Sequence, residues 1–318
     1  AANIGKFIVA GAVLPVIPIT KTIVDMITGI LCSDEKEKND DIVIFCGQFL
    51  RTLSVQEGTR KFVADPVTFG NKFFVTGLKQ IAATDPRIRD IVSGTSDELQ
   101  PAAMFGAVSD FLEVFPGEES KPAALIDELV DLLKNQDKYS LTVEDCSAGV
   151  TTIGDAALHV GDFFAPHVAE ALDVVSLTLS RVNDDDDVDQ DVLFGLWQSC
   201  CNFFAGLLNS TSLDVRKSIP AARLRDIIEF SKAVIFSKGI DPTVTSLAVG
   251  VLFDCVNFII KTSSMAGVGP NPSEKTKLIA AIKGDKKLCL KLQTMSGKKK
   301  DKEIAAAAKE VLQALHHL

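Results

Sequence analysis

Apolar side chains return every three or four residues through most of this chain, and strand-like alternation is hard to find. Ile42, Phe45, Phe49 and Leu53 follow that spacing, as do Leu193, Leu196, Trp197, Cys200, Phe204, Leu207 and Leu208, and again Leu247, Val251, Cys255, Phe258 and Ile259. A 3.6-residue period gathers such positions on one side of an α-helix, so each segment predicts a helix that buries a stripe against a neighbour. The breaks fall at Ala64-Asp-Pro66, Thr84-Asp-Pro86, Phe115-Pro-Gly117, Gly239-Ile-Asp-Pro242 and Gly269-Pro-Asn-Pro272. Aspartate can cap the next helix while proline occupies its first turn, where no amide hydrogen is needed. Ser96-Asp-Glu-Leu99 and Thr142-Val-Glu-Asp145 also read as helix starts.

One segment recurs. Phe45-Cys-Gly-Gln-Phe-Leu-Arg-Thr-Leu-Ser-Val-Gln-Glu-Gly-Thr-Arg-Lys-Phe-Val63 is an apolar helix, a short polar turn and a restart at an Arg-Lys-apolar step. Looser copies begin at Asn71 and Leu193. A fourth, from Val249, keeps the helix but replaces the restart with Gly267-Val-Gly-Pro-Asn-Pro272. Self-similarity of this kind predicts stacked helical repeats, and the uneven spacing marks them as degenerate.

The restarts carry a family resemblance. Phe49-Leu-Arg-Thr-Leu-Ser54 followed by Thr59-Arg-Lys-Phe-Val63 resembles the junction between two armadillo repeats, and Asp85-Pro-Arg-Ile-Arg-Asp-Ile91 and Asp214-Val-Arg-Lys-Ser-Ile219 are similar to it. The resemblance touches about two thirds of the chain. It implies an all-α, armadillo-like right-handed helical solenoid of degenerate repeats, with a concave groove that holds an extended peptide or a partner helix. The asparagine ladder that peptide-binding armadillo proteins use is represented only by scattered residues such as Asn202 and Asn257, at matching places in two helices. Local capping or hydrogen bonding explains these asparagines equally well.

The organisation expected is a capping segment over 1–32, helical repeats over 33–182, an acidic loop over 183–190, further repeats over 191–272 and Lys-rich helices over 273–318. In the first segment, Phe7-Ile-Val-Ala-Gly-Ala-Val-Leu-Pro-Val-Ile-Pro-Ile19 is shorter than the roughly 20 residues of a membrane-spanning helix, and Pro15 and Pro18 interrupt it. It reads as a cap over the first repeat, with a membrane-surface helix as the rival.

Composition narrows the function. The chain has 318 residues, 47% of them hydrophobic, with 19 Phe but one Trp and one Tyr, and a formal net charge of −9. A net acidic chain argues against general nucleic-acid binding, which needs concentrated Lys and Arg. The charge is unevenly placed. From Glu274 to Lys309 eleven lysines face four carboxylates, which leaves about +7 there and −16 elsewhere. Lys298, Lys299 and Lys300 could touch an acidic surface, although a solvated helix pair accounts for them. Among seven cysteines, Cys46, Cys200, Cys201, Cys255 and Cys289 fall in apolar helical patterns and read as reduced, buried thiols of a cytoplasmic protein. Asn209-Ser-Thr211 matches the N-glycosylation triplet, a pattern that also arises by chance.

Two groups invite a chemical reading. His159 and His167 lie eight apart in an expected helix, near Asp155 and Asp162, but two histidines fall short of a metal site and neighbouring carboxylates satisfy them more simply. Asn183-Asp-Asp-Asp-Asp-Val-Asp189 lacks the glycine and terminal glutamate of an EF-hand and reads as a solvated boundary loop. No GxSxG, Walker A, GxGxxG or HExxH pattern is present.

The function expected is therefore non-catalytic: a helical-repeat scaffold holding a protein or peptide partner on its concave face. Asn202, Asn257, Trp197, Phe203, Phe204, Arg216 and Lys261 are the candidate contacts. No cofactor or metal is expected. Two alternatives stand beside it. The paired phenylalanines Phe73-Phe74, Phe163-Phe164 and Phe203-Phe204 suit a carrier for a lipid or polyene pigment, although core packing explains them too. The N-terminal segment and the Lys-rich end together suit a peripheral membrane protein.

Overall fold

A computed structural model describes residues 74–83, 101–115, 117–183, 189–262, 271–297 and 302–316. They are mostly helical, and no strand occurs among them, so the fold is all-α. The expected features over 1–63 and the restart at Asp85–Ile91 lie outside the described residues, as does the run 184–188. The chain divides into two compact units between Leu141 and Thr142.

The first unit contains α1 (Val75–Ala83), α2 (Pro101–Val114), the one-turn α3 (Gly117–Ser120) and α4 (Ala123–Lys134). In α4, Leu125, Ile126, Leu129, Val130, Leu132 and Leu133 are buried at helical spacing. They share a core with Phe105 and with an aromatic chain in which Phe74 meets Phe111 at 5.0 Å and Phe111 meets Phe115 at 5.3 Å between ring centroids. Tilted ring pairs at this separation put edge hydrogens against π faces, which adds to the hydrophobic gain. Lys79 reaches Glu128 at 3.7 Å across α1 and α4.

The second unit begins with α5 (Val143–His159). Thr142 starts it as the sequence predicts. Its hydroxyl accepts from the Asp145 amide and the Asp145 carboxylate accepts from the Thr142 amide, each at 3.1 Å, so two otherwise unpaired helix-end donors are satisfied. Then come two 3-10 turns (Gly161–Phe163 and Ala165–His167), α6 (Val168–Asn183), α7 (Gln190–Asn209), α8 (Leu213–Lys217) and α9 (Ala221–Phe236). After these follow α10 (Pro242–Thr262), α11 (Pro272–Gly284), α12 (Lys286–Ser296) and α13 (Lys302–His316). Asp241 opens α10 by accepting from the Thr243 amide at 2.6 Å, and Asn271 opens α11 in a capping box with Glu274. In both, proline takes the first helical position.

The helix expected across His159 to His167 does not form. α5 stops at His159, and Gly161 at φ 54° turns the chain into the left-handed region that a side chain resists. Pro166 then fits the second 3-10 turn, where its missing amide hydrogen costs nothing.

Packing sets an order. α5 lies along α7, α7 against α10, and α10 against α13, while α6 packs on α5, α9 on α10 and α12 on α13. Both helices that flank the acidic run, α6 and α7, belong to the second unit, and the contact of α5 with α7 bridges that run. α5 and α7 cross at Gly154 and Gly206 and continue to Asp162 and Ser212, which are hydrogen-bonded. Both chains therefore leave the crossing at the same end, and the two helices run in the same direction.

Candidate functional site

α7 and α10 each bury one side and leave the other open. Accessible positions fall in line at Asp191, Gly195, Gln198, Asn202, Ala205 and Asn209 on α7 and at Thr243, Leu247, Gly250, Asp254, Asn257 and Lys261 on α10, with the half-buried Val192, Leu193, Phe194 and Trp197 on α7 and Phe253 and Ile260 on α10 beside them. Steps of three and four keep each set in line along its helix. Apart from Leu247 the lines are polar or small-chained. They meet at a hydrogen bond between the Asn209 side chain and the Asp254 carboxyl group. Desolvation by the surrounding helices raises the pKa of Asp254, while Asn209 and the charge of Lys261 pull it the other way.

The candidate contacts divide by exposure. Asn202, Asn257 and Trp197 are half-buried, and Lys261 is exposed in the last turn of α10, one turn beyond Asn257. Trp197 rests beside Phe194 at 5.9 Å between rings. Phe203 and Phe204 are core residues. Their rings lie 5.3 Å apart, and Phe204 meets Phe230 edge-on at 5.3 Å, so the α7 aromatic pair helps to seat α9. Arg216 is half-buried, and its Nε donates to the Ser210 carbonyl at 2.7 Å. That contact ties α8 back to the end of α7, where carbonyls lack helical partners. Lys298, Lys299 and Lys300 lie outside the described residues.

Two of the other marked groups have partners within the second unit. Asp162 accepts from the Ser212 hydroxyl, and His167 lies 3.9 Å from Glu170. Among the described residues, no three His, Cys, Asp or Glu side chains gather as a metal site. Burial pushes the Cys201 thiol up to about 12 and also raises Cys200 and Cys255. A thiol kept protonated packs as a small apolar group.

Two features bear on the alternative readings. A cavity of about 130 Å³ opens beside Ile235, Gly239, Pro242, Lys291, Met295 and Ile304, against the roughly 300–1,000 Å³ of small-molecule sites. α7 and α10 are long and apolar enough to cross a membrane by length and composition, and about half of each is buried within the fold.

Sequence periodicity passes over three contacts that organise this region. They are the backbone approach of Gly154 to Gly206, the Asp162–Ser212 bond, and the ion pair of Asp173 on α6 with Arg223 on α9. Both polar pairs join residues fifty apart. No protein-family model matches the chain, and no curated protein matches it.

Proposed function

We propose that this chain is a non-catalytic scaffold whose second unit stacks degenerate, armadillo-like helical repeats in a right-handed solenoid and holds a protein or peptide partner along the open side of α7 and α10. The observation that carries the reading is the constant fifty-residue offset of Asp162–Ser212 and Asp173–Arg223. Each pair joins a turn or helix of the α5, 3-10, α6 module to its counterpart in the α7, α8, α9 module. A stack of related modules makes such neighbour contacts once per repeat.

The open side suits an extended chain better than an apolar plug. Asn202, Asn209 and Asn257 offer amide donors and acceptors, Asp254 and Lys261 offer opposite charges, and Gly195 and Gly250 have open space where a side chain would stand. Short side chains let a partner's backbone come close, and the amides match its peptide groups. Phe203, Phe204 and Arg216 support this surface from within. The raised, buried thiols fit a reducing cytoplasmic setting.

Affinity capture with the full chain tests the reading. A defined partner at near-stoichiometric yield, weakened by Lys261→Glu and by Asn202→Arg in a folded protein, is expected. Capture unaffected by both substitutions contradicts the surface, and no partner at all contradicts the scaffold.

A further inference from the structure

We propose that the solvent face of α12 docks to an anionic lipid surface, independently of any partner held on α7 and α10. Leu290 stands in the middle of that face and is 64% exposed, more than Leu158, Leu213 or Phe236. Lys286 and Lys287 lie one turn before it, Lys283 closes α11 just upstream, and Lys291 follows it. Leu288, Leu292 and Met295 are buried and hold the opposite side of the helix to the protein. The result is one apolar side chain with three exposed cations, Lys283, Lys286 and Lys287, before it, on a helix anchored from behind, while Lys291 turns toward the cavity beside Met295.

Lys286 and Lys287 occupy the first turn of α12, where the helix dipole disfavours positive charge, and an anion held at this face would offset that cost. Two nearby carboxylates are engaged by other groups. Asp285 is held by Lys232 at 2.8 Å and by the Leu288 amide, and Glu274 is committed to the capping box at Asn271. Lys283, Lys286, Lys287 and Lys291 make no ion pair among the described residues.

Lipid phosphates suit this face better than nucleic acid does, because residues 271–297 contain no aromatic side chain on which a base could stack. Compact ammonium groups bind lipid headgroups as point charges, and a leucine between them reaches the acyl boundary.

The test is co-sedimentation of the full chain with vesicles of phosphatidylcholine alone or mixed with phosphatidylserine. Binding to the mixed vesicles, weakened by salt and absent from phosphatidylcholine alone, is expected. The double variant Lys286→Glu/Lys287→Glu should lose about tenfold or more of the partition, and Leu290→Asp about tenfold. Circular dichroism checks that both variants stay helical. No binding by the wild type overturns the proposal, and so does undiminished binding by the two folded variants, which would place the contact elsewhere in the chain. Capture of RNA or an acidic protein through these lysines with no vesicle binding also overturns it.

Discussion

Gly154 and Gly206 bring two helices into backbone contact. A methyl group added at Gly154 would stand 2.6 Å from the Phe203 Cα, and one added at Gly206 would run into the Gly154 carbonyl. No flexible side chain lies in the way to yield, so α5 and α7 would have to separate and give up the packing around the crossing. Gly206→Ala should therefore destabilise the protein by about 2 kcal/mol or more, despite alanine's better helix propensity. Gly250→Ala, on the open side of α10 with nothing within 4 Å, should instead stabilise by about 0.5–1 kcal/mol. Urea unfolding of the two variants beside the wild type checks both signs.

Ser212 links one module to the next and caps α8. Its hydroxyl donates to Asp162 and accepts from the Val215 amide at 3.2 Å, so a single oxygen serves two elements. Ser212→Ala should cost about 1–2 kcal/mol. The Asp173–Arg223 pair is more exposed, and a double-mutant cycle on it should give a coupling below about 1 kcal/mol.

Lys232 and Asp285 join α9 to the start of α12 at 2.8 Å with both side chains partly exposed. The bond from Lys232 holds the Asp285 pKa down, and the same bond holds Lys232 up. A depressed carboxylate contributes stability above its unfolded value near 3.9 and loses it as pH falls through the folded value. The raised lysine contributes below its unfolded value near 10.4 and loses it as pH rises through the folded value. Lys232→Met should cost about 1 kcal/mol between these limits and progressively less below about pH 4. Denaturation at neutral and acid pH measures the difference.

Buried, protonated thiols resist alkylation. Iodoacetamide on the native protein at neutral pH should modify Cys289 before Cys146, Cys200, Cys201 or Cys255, all four of which are buried while Cys289 is partly accessible. Peptide mapping by mass spectrometry should find those four modified only after denaturation.

Helices and their caps are legible in the sequence because both are local. Thr142 and Asp145 meet three residues apart, and Asp241-Pro242 opens α10 with no help from the rest of the fold. The apolar stripe of α7 already places Phe204 on the buried side, so its assignment to a partner surface neglects the periodicity that predicts its helix. His159 to His167 misleads because composition there suits a helix while Gly161 takes a left-handed turn. Arg216 looks like an exposed cation, yet the chain folds back within six residues to place Ser210's carbonyl against it. The pairing of Gly154 with Gly206 is tertiary, and neither residue carries a local mark that names the other.

A photo-crosslinking amino acid placed at Asn202 or Asn257 in the full chain, with Arg225 on the exposed side of α9 as the control, tests the scaffold surface most directly. Irradiation in a lysate of the native source should give the same discrete adduct from both α7 and α10 positions and none from Arg225. No adduct from either position, or the same adduct from Arg225, would contradict a partner held along α7 and α10.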